Sequence, residues 1–188
     1  MKNRIIAGVL TGLFISVMPV SAAMYKVDPS HTTVGFKIKH MMISTVTGKF
    51  SNFNGSYDLD KGQFKMFKGE VKSASIDTGI QKRDDHLRSA DFFDVAKYPD
   101  ITFKMTSATK DKMTGDLTMH GITKKVTLDI DMGGVVEDPW GNMRSGFVLS
   151  GTVNRKDFGL NWNKAIEAGG VVVGDDVKLV VEVEGIEE

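Results

Sequence analysis

The run Arg83-Asp84-Asp85-His86-Leu87-Arg88-Ser89-Ala90-Asp91-Phe92-Phe93-Asp94 interrupts a chain that is otherwise patterned in twos. It holds four carboxylates, two guanidinium groups and one imidazole, and it ends near two adjacent phenylalanines. Residues 81–89 have a helix-tolerant composition. Thr78-Gly79-Ile80-Gln81 reads as a capping box in front of them, and Arg83, Leu87 and Ala90 share a helical face at spacings of four and three. Tyr98-Pro99 ends the connection, and strand character resumes at Ile101. One short helix near residues 80–90 in a chain of strands predicts a barrel with a plug or lip.

On both sides of this run apolar and polar residues alternate. Val34, Phe36 and Ile38 fall on one strand face, Lys37 and Lys39 on the other. Ile101, Phe103 and Met105 alternate with Thr102, Lys104 and Thr106, and Val126, Leu128, Ile130 and Met132 with Thr127, Asp129 and Asp131. Similar rows begin at Phe53, Met113, Phe147 and Val177. Turn chemistry separates them at Asp60-Lys61-Gly62, Lys110-Asp111-Lys112, His120-Gly121, Asp138-Pro139-Trp140-Gly141-Asn142 and Gly174-Asp175-Asp176. Short connections mean hairpins and antiparallel pairing. The pattern predicts an all-β fold, an antiparallel barrel of about eight strands in preference to a flat sandwich. Gly35, Gly55, Gly69, Gly115 and Gly151 mark expected bends or bulges, which a small barrel needs in order to close.

The chain opens as a secretory signal. Lys2 and Arg4 precede the apolar run Ile5 to Val17, and Val20-Ser21-Ala22 suits cleavage before Ala23 or one residue later. Residues 1–22 are therefore read as a signal peptide and 23–188 as one domain, large enough to bury its own core. No other segment approaches about eighteen apolar residues, so stable membrane insertion is not expected. The absence of cysteine excludes disulfides, thiolate metal sites and a cysteine-linked lipid anchor, and fits the bacterial periplasm. Loss of Lys2 and Arg4 takes a formally neutral chain to about −2. That balance offers no basic face for nucleic acid and no polybasic membrane patch. Glu182, Glu184, Glu187 and Glu188 read as a solvated strand face.

Several short motifs stand in a set order: Tyr25-Lys26-Val27-Asp28, Ser30-His31 before Val34-Gly35-Phe36, His40, Gly48-Lys49-Phe50, Ser75 to Gly79, Arg83 to Asp94, Lys97 to Phe103, Gly115 to Lys124, and Asn154-Arg155-Lys156-Asp157-Phe158-Gly159-Leu160. Their order and spacing together resemble the YceI family of bacterial periplasmic, polyisoprenoid-binding proteins. The resemblance covers essentially all of residues 23–188. It implies a lipocalin-like β-barrel with a long apolar pore for polyisoprenoid lipids or fatty amides, a bound lipid rather than a cofactor, and binding and transport rather than catalysis.

Pore-lining candidates are Phe36, Ile38, Phe50, Phe53, Phe92, Phe93, Phe103, Met105, Phe147, Phe158 and Trp162. Residue types alone favour an ordinary filled core, because an eight-stranded barrel is just wide enough either to fill with side chains or to hold one slim ligand. The resemblance reverses that preference. Arg83, His86 and Arg88, with His31 and His40, are candidates for a polar or anionic head group at the pore mouth. The competing reading of the arginines is an internal ion-pair network with Asp84, Asp85, Asp91 and Asp94. No metal is expected, since His31, His40, His86 and His120 are far apart and lack a ligand-spaced pair. No nucleophile elbow or phosphate loop is present. Asp84 and Asp85 diverge by about 100° on a helix, which argues against a paired-carboxylate hydrolase. A hydrolase or a protein-interaction barrel without lipid remain the alternatives. Strand edges and exposed apolar loops leave room for a homodimer.

Overall fold

A computed structural model describes residues 23–166 and 170–188, so the signal-peptide reading of residues 1–22 lies outside the described residues. The strands are β1 (Ala23–Val27), β2 (Thr33–His40), β3 (Ser44–Phe50), β4 (Phe53–Asp60), β5 (Gln63–Lys72) and β6 (Ile76–Asp77). The helix α1 (Gln81–Arg88) follows, then β7 (Asp100–Ala108), β8 (Lys112–Met119), β9 (Ile122–Glu137), β10 (Met143–Asn154) and β11 (Val173–Glu187). Single 3₁₀ turns occupy Ser73–Ser75 and Arg155–Phe158.

Eight of these strands close a ring in the order β1-β4-β5-β7-β8-β9-β10-β11, sealed by the β1–β11 pair. All pairs are antiparallel, as the hairpin-length connections require. The strand β11 is 15 residues long and serves two partners. Its end pairs with β1 (Val27↔Gly185) and its beginning with β2 (Leu179↔Phe36). β1 and β2 thus behave as one strand broken at residues 28–32. β3 and β4 repeat the arrangement, pairing with β2 and β1 respectively. At the broken end β6 pairs only with β3. The segment containing α1 lies beside β6, with Leu87, Phe92 and Phe93 turned toward the interior.

Four local expectations are corrected. The capping box does not form: Ile80 is the cap residue and offers no side-chain bond. The Thr78 amide instead donates 3.0 Å to Asp84 Oδ1, which its hydroxyl also meets, so the carboxylate reaches back from the first turn. Ala90 lies beyond the helix end. Gly174-Asp175-Asp176 is no turn; it lies in β11, where the register with β2 shifts between Val173 and Val177. The other register shifts fall at Asp58/Leu59, Met105/Ser107 and Gly146/Phe147; of the five glycines read as bend sites only Gly115, paired with Met105, adjoins one. Gly115 also permits close approach: a Cβ there would overlap the Phe103 ring.

The interior is divided along the barrel axis. Toward the β1 end, Tyr25, Tyr57, Phe64, Phe67 and Phe147 interlock. Tyr57 is fully buried, stacks on Tyr25 at 5.3 Å and meets Phe147 edge-on at 5.0 Å. Its hydroxyl shares a 2.6 Å hydrogen bond with Ser145 Oγ, and burial pushes its pKa up to about 12. Toward the β2 end a smaller cluster of Ile101, Leu117, Met119, Val153, Phe158 and Leu160 lies to one side.

Candidate functional site

Between the solid end and the α1 segment lies a cavity of about 610 Å³. Its size falls within the range of about 300–1,000 Å³ usual for small-molecule sites. Alternation in β2 turns Val34, Phe36, Ile38 and His40 onto its wall. Yet all four are only half-buried, because the space they face is empty rather than filled by opposing side chains. The floor is formed by Phe67, Leu128, Leu149 and Val183. Phe36, Phe50 and Phe93 make a chain of rings along one wall, with centroids 5.7 and 6.0 Å apart. A Cβ on Gly48 would overlap the Phe36 ring, so the missing side chain lets that ring lie flat and keeps the lumen open. Near the rim, His86 is wedged edge-on between Phe92 at 5.1 Å and Trp162 at 4.8 Å.

Phe36, Ile38, Phe50, Phe53, Phe92, Phe93, Phe103 and Trp162 line this cavity. Met105, Phe147 and Phe158 do not. Phe147 belongs to the solid end and Met105 packs against that cluster. Phe158, at the 3₁₀ turn after β10, is 1% exposed in the side cluster. Period two assigns a face but cannot say how deep along the barrel a residue sits.

The head-group candidates separate as well. His40, Arg83 and His86 line the cavity. Arg83 donates from Nε to Thr78 Oγ1 at 2.7 Å and from Nη2 to the Thr78 carbonyl at 2.8 Å. Thr78 therefore links Arg83 to the buried Asp84. His86 Nε2 meets Asp91 Oδ2 at 3.0 Å. Arg88 is off the cavity and tied to structure: it donates to the carbonyls of Ala74 (2.8 Å) and Ile76 (2.7 Å) and to Asp85 (3.1 Å). The expected ion-pair network is thus reduced to the Arg88–Asp85 and His86–Asp91 pairs, with Asp84 held by Thr78.

His31 lies at the opposite end of the barrel. Its Nδ1 is 2.8 Å from Asp28 Oδ2 and 3.7 Å from Glu184 Oε1. Donor atoms of Asp28, His31 and Glu184 converge as metal ligands would. The Arg144 guanidinium, however, already donates to Asp28 (3.0 Å), Glu184 (2.7 Å) and Asp138 (2.7 Å) and supplies the positive charge itself. The hydrogen bond with His31, then those from the Ser30 amide and Arg144, hold the Asp28 carboxyl well below the usual carboxylate range. Arg144 does the same for Asp138. This cluster joins the break between β1 and β2 to β10 and β11.

The buried charge beside the cavity escaped the reading of the sequence. Arg155 is 2% exposed and donates to the carbonyls of Gly174 and Leu160, with Asp175 at 3.4 Å. Burial pulls its pKa down from the ordinary arginine value, and Asp175 opposes that. Nothing in the run Asn154-Arg155-Lys156 marks its middle residue as buried; the 3₁₀ turn directs it inward.

Residues 25–185 match the family model for the YceI-like domain. UPF0312 protein SA2479 of Staphylococcus aureus (strain N315) is 39% identical over 160 residues, covering 84% of this chain and 94% of the relative. The YceI protein of Campylobacter jejuni, solved as a crystal structure, is 40% identical with a TM-score of 0.70, covering 86% of this chain and 96% of that one. A polyisoprenoid-binding domain from Saccharophagus degradans shares the fold at a TM-score of 0.62 and 14% identity, covering 89% of this chain and all of that one. With its closed eight-strand ring, its short helix and this match over nearly the whole barrel, the chain belongs to the YceI-like domain family.

Proposed function

We propose that this protein binds a polyisoprenoid or a similar long-chain amphiphile in its barrel and carries or sequesters it across the periplasm. The observation that carries the reading is the open apolar cavity of about 610 Å³ in a barrel whose other end is solid. Each buried methylene contributes about 0.8 kcal/mol. About ten of them supply roughly 8 kcal/mol, the scale of micromolar affinity, before the cost of association is subtracted. Polar contacts then need only orient the head group. His40, Arg83 and His86 stand at the lumen for that role. That a domain of the same fold is described as polyisoprenoid-binding supports the choice of ligand class. No helix among the described residues is long and apolar enough to cross a membrane.

The test is to isolate the protein from the envelope of its own host, extract it with organic solvent and identify what is released by mass spectrometry. A long-chain lipid in near-stoichiometric amount is expected. Protein that emerges empty and turns over a small substrate would make it a hydrolase. Protein that emerges empty but holds a polypeptide would make it an interaction module.

A further inference from the structure

We infer that the cavity rim is a docking surface for a phospholipid bilayer bearing anionic head groups; this rests on the lipid-carrying reading and adds where the cargo is exchanged. The β2–β3 connection consists of Met41, Met42 and Ile43, which are 38%, 59% and 84% exposed. Its tip is pinned in place: the Met41 amide donates 2.8 Å to the Val172 carbonyl, and Met41 and Met42 both adopt left-handed conformations. Ile80, immediately before α1, is 53% exposed and lines the same opening. Single exposed apolar side chains are ordinary on a protein surface, but here four gather around the mouth of an apolar cavity.

The charge at this rim selects the partner. Lys39 and Lys82 are exposed, line the opening and make no ion pair among the described residues. The acids of the α1 segment are engaged within it: Asp84 is buried against Thr78, Asp85 pairs with Arg88 and Asp91 meets His86. Lys164 is exposed on the neighbouring loop, where its carbonyl accepts the Val172 amide. Apolar tips flanked by lysines match the interface of an anionic bilayer, with side chains among the acyl boundary and ammonium groups at the phosphates. The opposite end also exposes Val136 (65%) and Trp140 (81%), but there Asp28, Asp138 and Glu184 gather around one guanidinium, that of Arg144, an excess of negative charge that disfavours the same bilayer. Docking by the end that carries Met41 to Ile43, Lys39 and Lys82 seats the cavity mouth on the membrane, so a prenyl chain passes from bilayer to lumen without exposure to water.

The test uses flotation of the protein, isolated as its cells export it, with vesicles of equal parts phosphatidylglycerol and phosphatidylcholine. A fluorescent prenyl alcohol measures lumen binding in solution. The wild type is expected to float with the anionic vesicles, and to be released by about 1 M salt, which shortens the screening length to about 3 Å. Ile43→Asp and Met42→Ser lie off the cavity wall; each should reduce flotation about tenfold or more while leaving probe binding intact. Wild-type protein that binds the probe but does not float, or Ile43→Asp protein that floats as well as wild type, overturns the docking surface and leaves the carrier reading standing. Salt-sensitive, Ile43-dependent flotation by protein that binds no probe supports docking and removes the carrier reading.

Discussion

The two ends of this barrel are built from the same strands with the same alternation, yet one is solid and the other hollow. At the β1 end large rings point inward from neighbouring strands and meet: Tyr57 contacts Tyr25, Phe64, Phe67 and Phe147 within 6.2 Å between centroids. At the β2 end the inward residues are Val34, Phe36 and Ile38 opposite the α1 segment, and they do not span the gap. A barrel of eight strands lies at the limit where side chains can fill it. Which rings stand up into the lumen and which lie along the wall decides the outcome at each level. Phe36 lies over Gly48, whereas Tyr57 stands across the axis and finds Ser145 for its hydroxyl.

The largest contrast should come from truncating one ring in each half. Tyr57→Ala removes a fully buried side chain and is expected to cost about 3–5 kcal/mol in urea unfolding. Phe36→Ala, beside existing empty space, should cost below about 1 kcal/mol. Equal losses would mean that the cavity is collapsed in solution. Enlargement gives the converse. Leu59→Phe in the solid half should destabilise by about 1–3 kcal/mol through overpacking. Val34→Phe should leave stability within about 1 kcal/mol and weaken prenyl-probe binding about tenfold or more, since it occupies the lumen. Intact probe affinity in Val34→Phe would place the ligand elsewhere.

Acid sharpens the comparison next, because the charge cluster stabilises only the solid end. Asp28 and Asp138 have carboxyl groups held well below their ordinary range in the folded protein. A group whose folded pKa is depressed contributes stability above its unfolded value of about 3.9, and that contribution is lost as pH falls through the folded value. Unfolding free energy should therefore decline below about pH 4. Arg144→Met should be less stable at neutral pH and show a shallower acid decline; a decline as steep as in wild type would assign acid sensitivity to other groups.

The smallest effects separate the two arginines. Arg83→Ala should weaken binding of a prenyl phosphate a few-fold more than that of the neutral prenyl alcohol, as expected for one charge-assisted contact. Arg88→Ala should leave both affinities unchanged and lower stability by about 1–2 kcal/mol, because the carbonyls of Ala74 and Ile76 lose their donors. Exchange of these two phenotypes would reverse their assignments.

Much of the fold is legible in local chemistry. Lys61-Gly62 and His120-Gly121 adopt the left-handed turns that their composition suggests. The β2–β3 turn carries no such mark, since Met41 and Met42 replace the usual glycine or asparagine. Strand β5 is obscured because the bulge at Asp58/Leu59 sets its buried residues Phe64 and Phe67 three apart rather than two. The places of Arg155, Lys39 and Lys82 at the cavity were invisible for another reason: the cavity exists only after residues distant in the chain are brought together.

From the chain alone came the period-two rows, the antiparallel closed barrel and its short helix, because alternation and turn geometry act over a few residues. The tertiary structure alone decided that Phe147, Phe158 and Met105 fill the protein while Phe36, Phe50 and Phe93 border empty space. It also decided that Arg88 is a brace while Arg83 faces the lumen. Alternation assigns a side chain to the inside or the outside; its depth along the barrel, and whether another side chain meets it there, depend on the register and stagger of strands far apart in sequence.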